Sequence, residues 1–178
     1  MIIIEGCDNT GKTTLKERIL KVKSGAVSGP KQTRPPEDPQ AYMERLWEIL
    51  MKPNTDGMVF DRFYFSELVY GPLFRGKVSF TPTERVLIEK MLKKHNPLII
   101  YCHRAPERII ERIHEREQIY GLEEKIPKII ERYNEIFLPW AEAGYVTVYD
   151  IDNPLTAITT WKEIDKYFYL RSGKVVTA

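Results

Sequence analysis

Gly6-Cys7-Asp8-Asn9-Thr10-Gly11-Lys12-Thr13, set directly behind the apolar run Met1-Ile2-Ile3-Ile4, matches the pattern G-x-x-x-x-G-K-[ST] at every fixed position. Two glycines let the chain curl so that successive backbone N–H groups converge on an anion, and the helix that follows adds its positive end. Lys12 is placed to reach the outer phosphates of a nucleoside triphosphate. Thr13 offers a hydroxyl to the Mg²⁺ those phosphates carry, an ion that takes oxygen ligands and keeps most of its water. The surroundings have the order the pattern requires: a β-rich run precedes it, and 12–23 reads as a helix with Leu15, Ile19 and Val22 at helical spacing. Gly6, Asn9, Thr10, Gly11, Lys12, Thr13 and Thr14 are therefore the expected set for ATP and Mg²⁺.

Working outward, apolar runs alternate with helical patterns. Residues 26–28 fit a short second strand before a Gly- and Pro-rich stretch. Asp38-Pro39 predicts an N-cap and first turn, followed at intervals of three and four by Tyr42, Met43, Leu46, Trp47, Leu50 and Met51. Met58-Val59-Phe60 reads as a buried strand ending at Asp61-Arg62, with a helix carrying Ser66, Val69 and Tyr70 behind it. Thr81-Pro82-Thr83-Glu84 has the form of a capping box, opening a helix with Val86, Leu87 and Met91 inside. A strand at 98–102 follows, then helices at 106–118 (Ile109, Ile110, Ile113) and 126–143 (Ile129, Ile130, Tyr133, Ile136, Phe137), separated by a Tyr120-Gly121 turn. A strand at 145–150 and a helix capped by Asn153-Pro154 complete the pattern, with a frayed tail after Ser172-Gly173. Trp47, Trp140 and Trp161 fall on apolar helix faces and read as core.

Continuous apolar strands alternating with helices predict an α/β fold, a three-layer sandwich around a five-stranded parallel sheet, because parallel strands need crossover helices. Ligands in such sheets bind outside the C-terminal ends of the strands. The phosphate loop, Asp61-Arg62 and His103-Arg104 each follow a strand and should line one edge.

With 178 residues, 43% hydrophobic and 29% charged, the chain has material for one substantial core, and 1–178 is read as a single domain. The net charge of +2 excludes a field of one sign that would argue for bulk nucleic-acid or membrane binding. The apolar start is too short for a signal segment and no run reaches membrane-spanning length, so a cytoplasmic protein is expected. Cys7 and Cys102 supply neither a disulfide framework nor zinc spacing. Nothing fixes the oligomeric state, and a homodimer stays open.

GTP switches would show an Asn-Lys-x-Asp segment after a strand, and none is present. A small kinase instead needs an acceptor pocket beside the loop and a basic lid. Asp8 bears on this choice: a carboxylate beside the phosphates would repel the donor unless it faced another ligand. Arg62 has the planar fork that binds a phosphomonoester bidentately. Arg112 and Arg116 lie four apart on a glutamate-rich helix, where they would either serve a lid or pair with Glu111, Glu115 and Glu117 on a solvated face.

Three stretches resemble the thymidylate kinase and deoxynucleotide kinase family of phosphate-loop kinases. Glu5-Gly6-Cys7-Asp8-Asn9-Thr10-Gly11-Lys12-Thr13-Thr14 looks like that family's E-G-x-D-x-x-G-K-T-T. Asp61-Arg62-Phe63 is similar to its D-R-[YFH], with Ser66, Tyr70-Gly71 and Arg75-Gly76 downstream. Residues 112–116 resemble the R-x-x-x-R that opens the lid, here about 112–126. The resemblance implies that Asp8 faces the acceptor sugar and that Asp61 joins Thr13 at the metal through water. It further implies that Arg62 holds the acceptor phosphate, that Phe63, Ser66, Tyr70 and Arg75 line the acceptor pocket, and that Lys12, Arg112 and Arg116 neutralise the transferred group. The chain departs from the family at Thr33-Arg34-Pro35-Pro36, where T-R-E-P-G-G is common, and at Tyr70-Gly71-Pro72, where Tyr-Gln-Gly is frequent. Its D-R-F and S-E-x-V-Y-G stretches are similar to phage-encoded kinases, implying a divergent or viral member working in a host cytoplasm. The expected activity is phosphoryl transfer from ATP to dTMP or a related, also modified, pyrimidine monophosphate. A kinase for a nucleoside or modified-base hydroxyl, including one carried in DNA, and a non-catalytic nucleotide-binding module are the alternatives. In deoxynucleoside kinases the D-R-[YFH] position is more often E-R-S, which favours the monophosphate.

Overall fold

The computed structural model describes residues 1–30, 38–115 and 123–172. In chain order these form β1 (Ile2–Glu5), α1 (Lys12–Val22), β2 (Val27–Ser28), α2 (Pro39–Leu50), β3 (Met58–Asp61), α3 (Tyr64–Arg75), α4 (Pro82–Lys94), β4 (Leu98–His103), α5 (Pro106–Glu115), a 3₁₀ turn (Glu123–Lys125), α6 (Ile126–Glu142), β5 (Val146–Asp150) and α7 (Pro154–Arg171). The five strands make one sheet in the order β2-β3-β1-β4-β5, and every pairing is parallel.

Side chains of β1 alternate between the faces, as a strand's pleat requires. Ile3 joins a core with Phe60, Ile99 and Tyr101 under α2 to α6, whereas Ile2 and Ile4 join Val59, Ile100 and Cys102 under α1 and α7. Both faces of the central strand are thus covered, which is why its sequence is an unbroken apolar run. Each large apolar side chain so buried contributes about 1.5–3 kcal/mol.

Local signals set the helix starts. Asp38 caps α2 by accepting from the Gln40 N–H, and Asn153 caps α7 by accepting from the Leu155 N–H. Thr81 and Glu84 close the reciprocal capping box of α4. The inward face of α4 is a correction: Val86 and Leu87 are 51% and 46% exposed, and Ile88 and Leu92 point into the core. Residues 86–88 are all apolar and sweep about 200° of helix, so spacing alone does not select the buried one. Val22 is likewise exposed at the end of α1. The three tryptophans are half-buried at the rims of the two cores, and Trp161 carries the Arg18 guanidinium over its ring. Cys7 and Cys102 are buried free thiols. The expected Tyr120-Gly121 turn, the stretch at 33–36 and the tail from 173 lie outside the described residues.

Candidate active site

The loops after β1, β3 and β4 meet at the C-terminal edge of the sheet. Gly6 has φ +142°, and a Cβ there would run into the carbonyl oxygen of Cys102 at the end of β4. Gly11, at φ +84°, is the N-cap of α1 and lies against the Ile151 side chain. Glycine is required at both positions, by conformation and by room. Between them Thr10 Oγ1 donates to the Cys7 carbonyl at 2.8 Å, and the Lys12 ammonium donates to the same oxygen. Lys12 is buried, and burial with repulsion from Arg62 lowers its pKa. Asn9 stands at φ +59°, and its buried Nδ2 has no partner among the described residues. Thr14 is exposed on the first turn of α1.

Thr13 Oγ1 donates to Asp61 Oδ2 at 2.7 Å, joining the start of α1 to the end of β3. A hydroxyl and a carboxylate side by side suit Mg²⁺, which needs only one or two protein oxygens when phosphates and water fill the rest. No cluster of three or more His, Cys, Asp or Glu suited to a metal occurs among the described residues.

The residue after Asp61 carries the strain. Arg62 has φ +70°, rare for a side chain of this size, and its N–H still donates to the Ile4 carbonyl at 2.8 Å. Glu5 holds the turn from the other side: one oxygen accepts from the Phe63 N–H at 2.6 Å, the other from Ser66 Oγ at 2.6 Å and from the Tyr133 hydroxyl at 3.3 Å. The twisted backbone turns the Arg62 side chain to the phosphate loop. Its Nη2 donates to Asp8 Oδ1 at 2.7 Å and to the Tyr70 hydroxyl at 3.1 Å; its Nη1 donates to Tyr133 at 2.9 Å and Ser66 at 3.2 Å. The guanidinium also lies over the Tyr70 ring. Burial opposes the charge on Arg62, but the oxygens of Tyr133, Tyr70, Asp8 and Glu5 outweigh it and the pKa is raised. For Asp8 burial pulls upward, and Arg62 and Lys12 more than offset it, so its pKa is lowered. Burial raises the Glu5 pKa, against hydrogen bonds from Ser66 and Phe63 and the nearby Arg62 and Lys12 charges.

Of the residues expected from the sequence, Asp8, Arg62, Ser66 and Tyr70 meet in one cluster, beside Lys12 and the Thr13–Asp61 pair. Phe63 does not face it: its ring is 2% exposed, packed edge-on against Phe60 and Tyr64, and its contribution to the cluster is a backbone N–H. Arg75 is engaged elsewhere, with both oxygens of the buried Glu67, whose Oε1 also accepts from the Ser79 N–H and hydroxyl. Removing one partner of such a pair leaves a buried charge under-solvated. Arg75→Ala is expected to cost about 2–4 kcal/mol of stability, read as a lowered denaturation midpoint. An unchanged midpoint would return Arg75 to the ligand-facing set.

Tyr133 was not legible as a site residue, whereas Arg104 was expected at this sheet edge. Tyr133 reads in sequence as one more apolar-face position of α6. Arg104, beyond β4, grips Asp152 through Nε at 2.9 Å and Nη2 at 2.8 Å and also donates to the Asn9 carbonyl of the loop at 3.4 Å. The Asp152 pKa is lowered first by the Arg104 hydrogen bond, then by the charges of Arg104, Arg108 and Arg112. Arg112 is half-buried on α5, and Arg116 lies outside the described residues.

No family model matches the chain. A SPbeta prophage-derived uncharacterized protein, YorR of Bacillus subtilis strain 168, is 29% identical over 138 residues, 76% of this chain and 81% of that one. The crystal structure of the B. subtilis YorR protein in complex with phosphorylated GDP superposes with a TM-score of 0.70 at 24% identity, covering 93% of this chain and 97% of the other. Deoxyadenosine kinase from M. mycoides with bound dATP gives 0.54 at 18%, covering 92% and 98%. Thymidylate kinase from Candida albicans gives 0.58 at 16%, covering 94% and 92%. These likenesses define the fold as the one shared by YorR, that deoxyadenosine kinase and that thymidylate kinase. Among the described residues no helix is long and apolar enough to cross a membrane.

Proposed function

We propose that this protein is a deoxynucleoside monophosphate kinase that transfers the γ-phosphoryl group of ATP to dTMP or a related, also modified, pyrimidine monophosphate. The observation that carries the reading is the Arg62 guanidinium, set at the C-terminal sheet edge beside the phosphate loop by a strained backbone and a ring of oxygens. Its job would be to take the acceptor's phosphate in place of Asp8, releasing that carboxylate toward the acceptor sugar. A phosphate oxygen is already a nucleophile at neutral pH and needs no base. Glu5 fits that economy, being fully buried and saturated by Phe63, Ser66 and Tyr133. Catalysis would then rest on alignment and charge neutralisation. The loop N–H groups and Lys12 hold the donor, Thr13 and Asp61 are the oxygens for Mg²⁺, and Arg112 with Arg116 offsets charge on the transferred group. Mg²⁺, when bound, polarises the phosphoryl oxygens.

The pyrimidine preference follows the likeness of Asp61-Arg62-Phe63, Ser66 and Tyr70 to thymidylate kinases. The prophage-derived relative supports a phage origin, and its complex with phosphorylated GDP places guanine nucleotides in the test panel. One observation favours a second reading, transfer to a nucleoside hydroxyl: the side chain of Asp8 is 47% exposed at the cluster, where its carboxylate is open to an acceptor hydroxyl.

ADP release measured across the nucleosides and 5′-monophosphates of all bases decides between them. Turnover is expected on monophosphates, with pyrimidines foremost. Turnover confined to unphosphorylated acceptors selects the second reading, and a guanine preference overturns the pyrimidine assignment alone.

A further inference from the structure

Arg62 presents two unlike edges. Nη1 is fixed by scaffold oxygens: Tyr133 at 2.9 Å from α6 and Ser66 at 3.2 Å from α3. These two hydroxyls are 2.9 Å apart, and both reach Glu5 Oε2 behind them. The other edge is Nε with Nη2, and its charged partner is Asp8, at 2.7 Å. Nε makes no hydrogen bond among the described residues, and Nη2 is on Tyr70 and on Asp8, the half-exposed member of the cluster. Nε and Nη2 form the side-on fork by which an arginine grips an oxyanion bidentately.

We propose that Tyr133 is a positioning residue that clamps the Nη1 edge of Arg62, so that the Nε–Nη2 edge stays turned toward the acceptor's phosphate. The proposal rests on the monophosphate reading above and assigns within it a residue that does not touch substrate. The phenol is well suited to the task. Its ring is fully buried, stacked at 5.9 Å on Tyr101 and at 6.0 Å on Phe137, so the hydroxyl has little freedom to follow Arg62 if the guanidinium swings. Glu5 and Ser66 orient the hydroxyl: with its proton toward either of them, its lone pair faces Arg62. An arginine carries several flexible torsions, and the entropy of fixing them is then spent before the acceptor arrives.

Tyr133→Phe removes one oxygen and keeps the stacked ring. The KM for the acceptor monophosphate is expected to rise about tenfold, as loss of a hydrogen bond to a charged group implies, with kcat and the donor KM within about twofold. A merely structural role would lower the melting temperature or the active fraction and leave the acceptor KM in place. The second measurement is a double-mutant cycle on acceptor kcat/KM: Tyr133→Phe should add little in an Arg62→Ala background, because its effect passes through Arg62. An unchanged acceptor KM in the single variant, or a full additional loss in the double variant, overturns the proposal while the kinase reading stands. A wild-type protein that turns over no monophosphate overturns both.

Discussion

Arg62→Ala should lower kcat/KM for the acceptor by roughly 10²–10³-fold, equivalent to about 2.7–4 kcal/mol, while donor binding changes little. On the proposed reading two charge-assisted bonds to a phosphate would be lost, and no other guanidinium reaches the cluster among the described residues. Lysine is not an adequate substitute, since one ammonium cannot span two phosphate oxygens in a plane, so Arg62→Lys should recover only part of the loss. Steady-state kinetics with each substrate varied in turn checks this, and an equal loss on the donor side would sink the assignment. The same variant has a second signature. With Arg62 present, Asp8 has a folded-state pKa below its ordinary value of 3.8, so its pairing supplies stability above that value that is lost as the pH falls through the folded pKa. Without Arg62, burial acts against the Asp8 charge with less to oppose it. Melting temperatures below about pH 4 should therefore fall less steeply with acid in Arg62→Ala.

Lys12→Ala is expected to lower kcat by at least about 10³-fold while the protein stays folded. Lys12 is nearly fully buried, folded onto the Cys7 carbonyl inside the loop, with Arg62 and Asp61 as charged neighbours. In that enclosure the dielectric is low, and on the proposed reading the charge of a single ammonium on a donor's outer phosphates would be worth more than in water. Single-turnover kinetics would separate the loss of chemistry from weakened donor binding. If only the donor affinity changed, the loop would be a nucleotide-binding element in a non-catalytic module.

How much of this was legible in the sequence varies with the range of the physics. The capping residues Asp38, Thr81 with Glu84, and Asn153 act over two or three positions and stand where their spacing puts them. The face of α4 was not legible, because Val86, Leu87 and Ile88 are equally apolar and only packing against the sheet picks Ile88. At the site, Asp8, Arg62, Ser66 and Tyr70 could be named from motif likeness, but so could Phe63, whose ring the core absorbs, and Arg75, which Glu67 takes. Tyr133 could not be named. A tyrosine on an apolar helix face reads the same whether its hydroxyl is idle or bonded.

By itself the sequence determined the phosphate loop, the alternation of strand and helix and the meeting of three loops at one sheet edge. Those features depend on contiguous residues and on the rule that parallel strands carry their ends to one side. Only the tertiary structure decided what surrounds Arg62. Its partners Asp8 and Tyr133 lie 54 and 71 positions away, and the Tyr133–Glu5 bond behind them spans 128. No local spacing encodes such contacts; they exist because the parallel crossovers and the left-handed backbone at Arg62 bring β1, α3 and α6 to a single point.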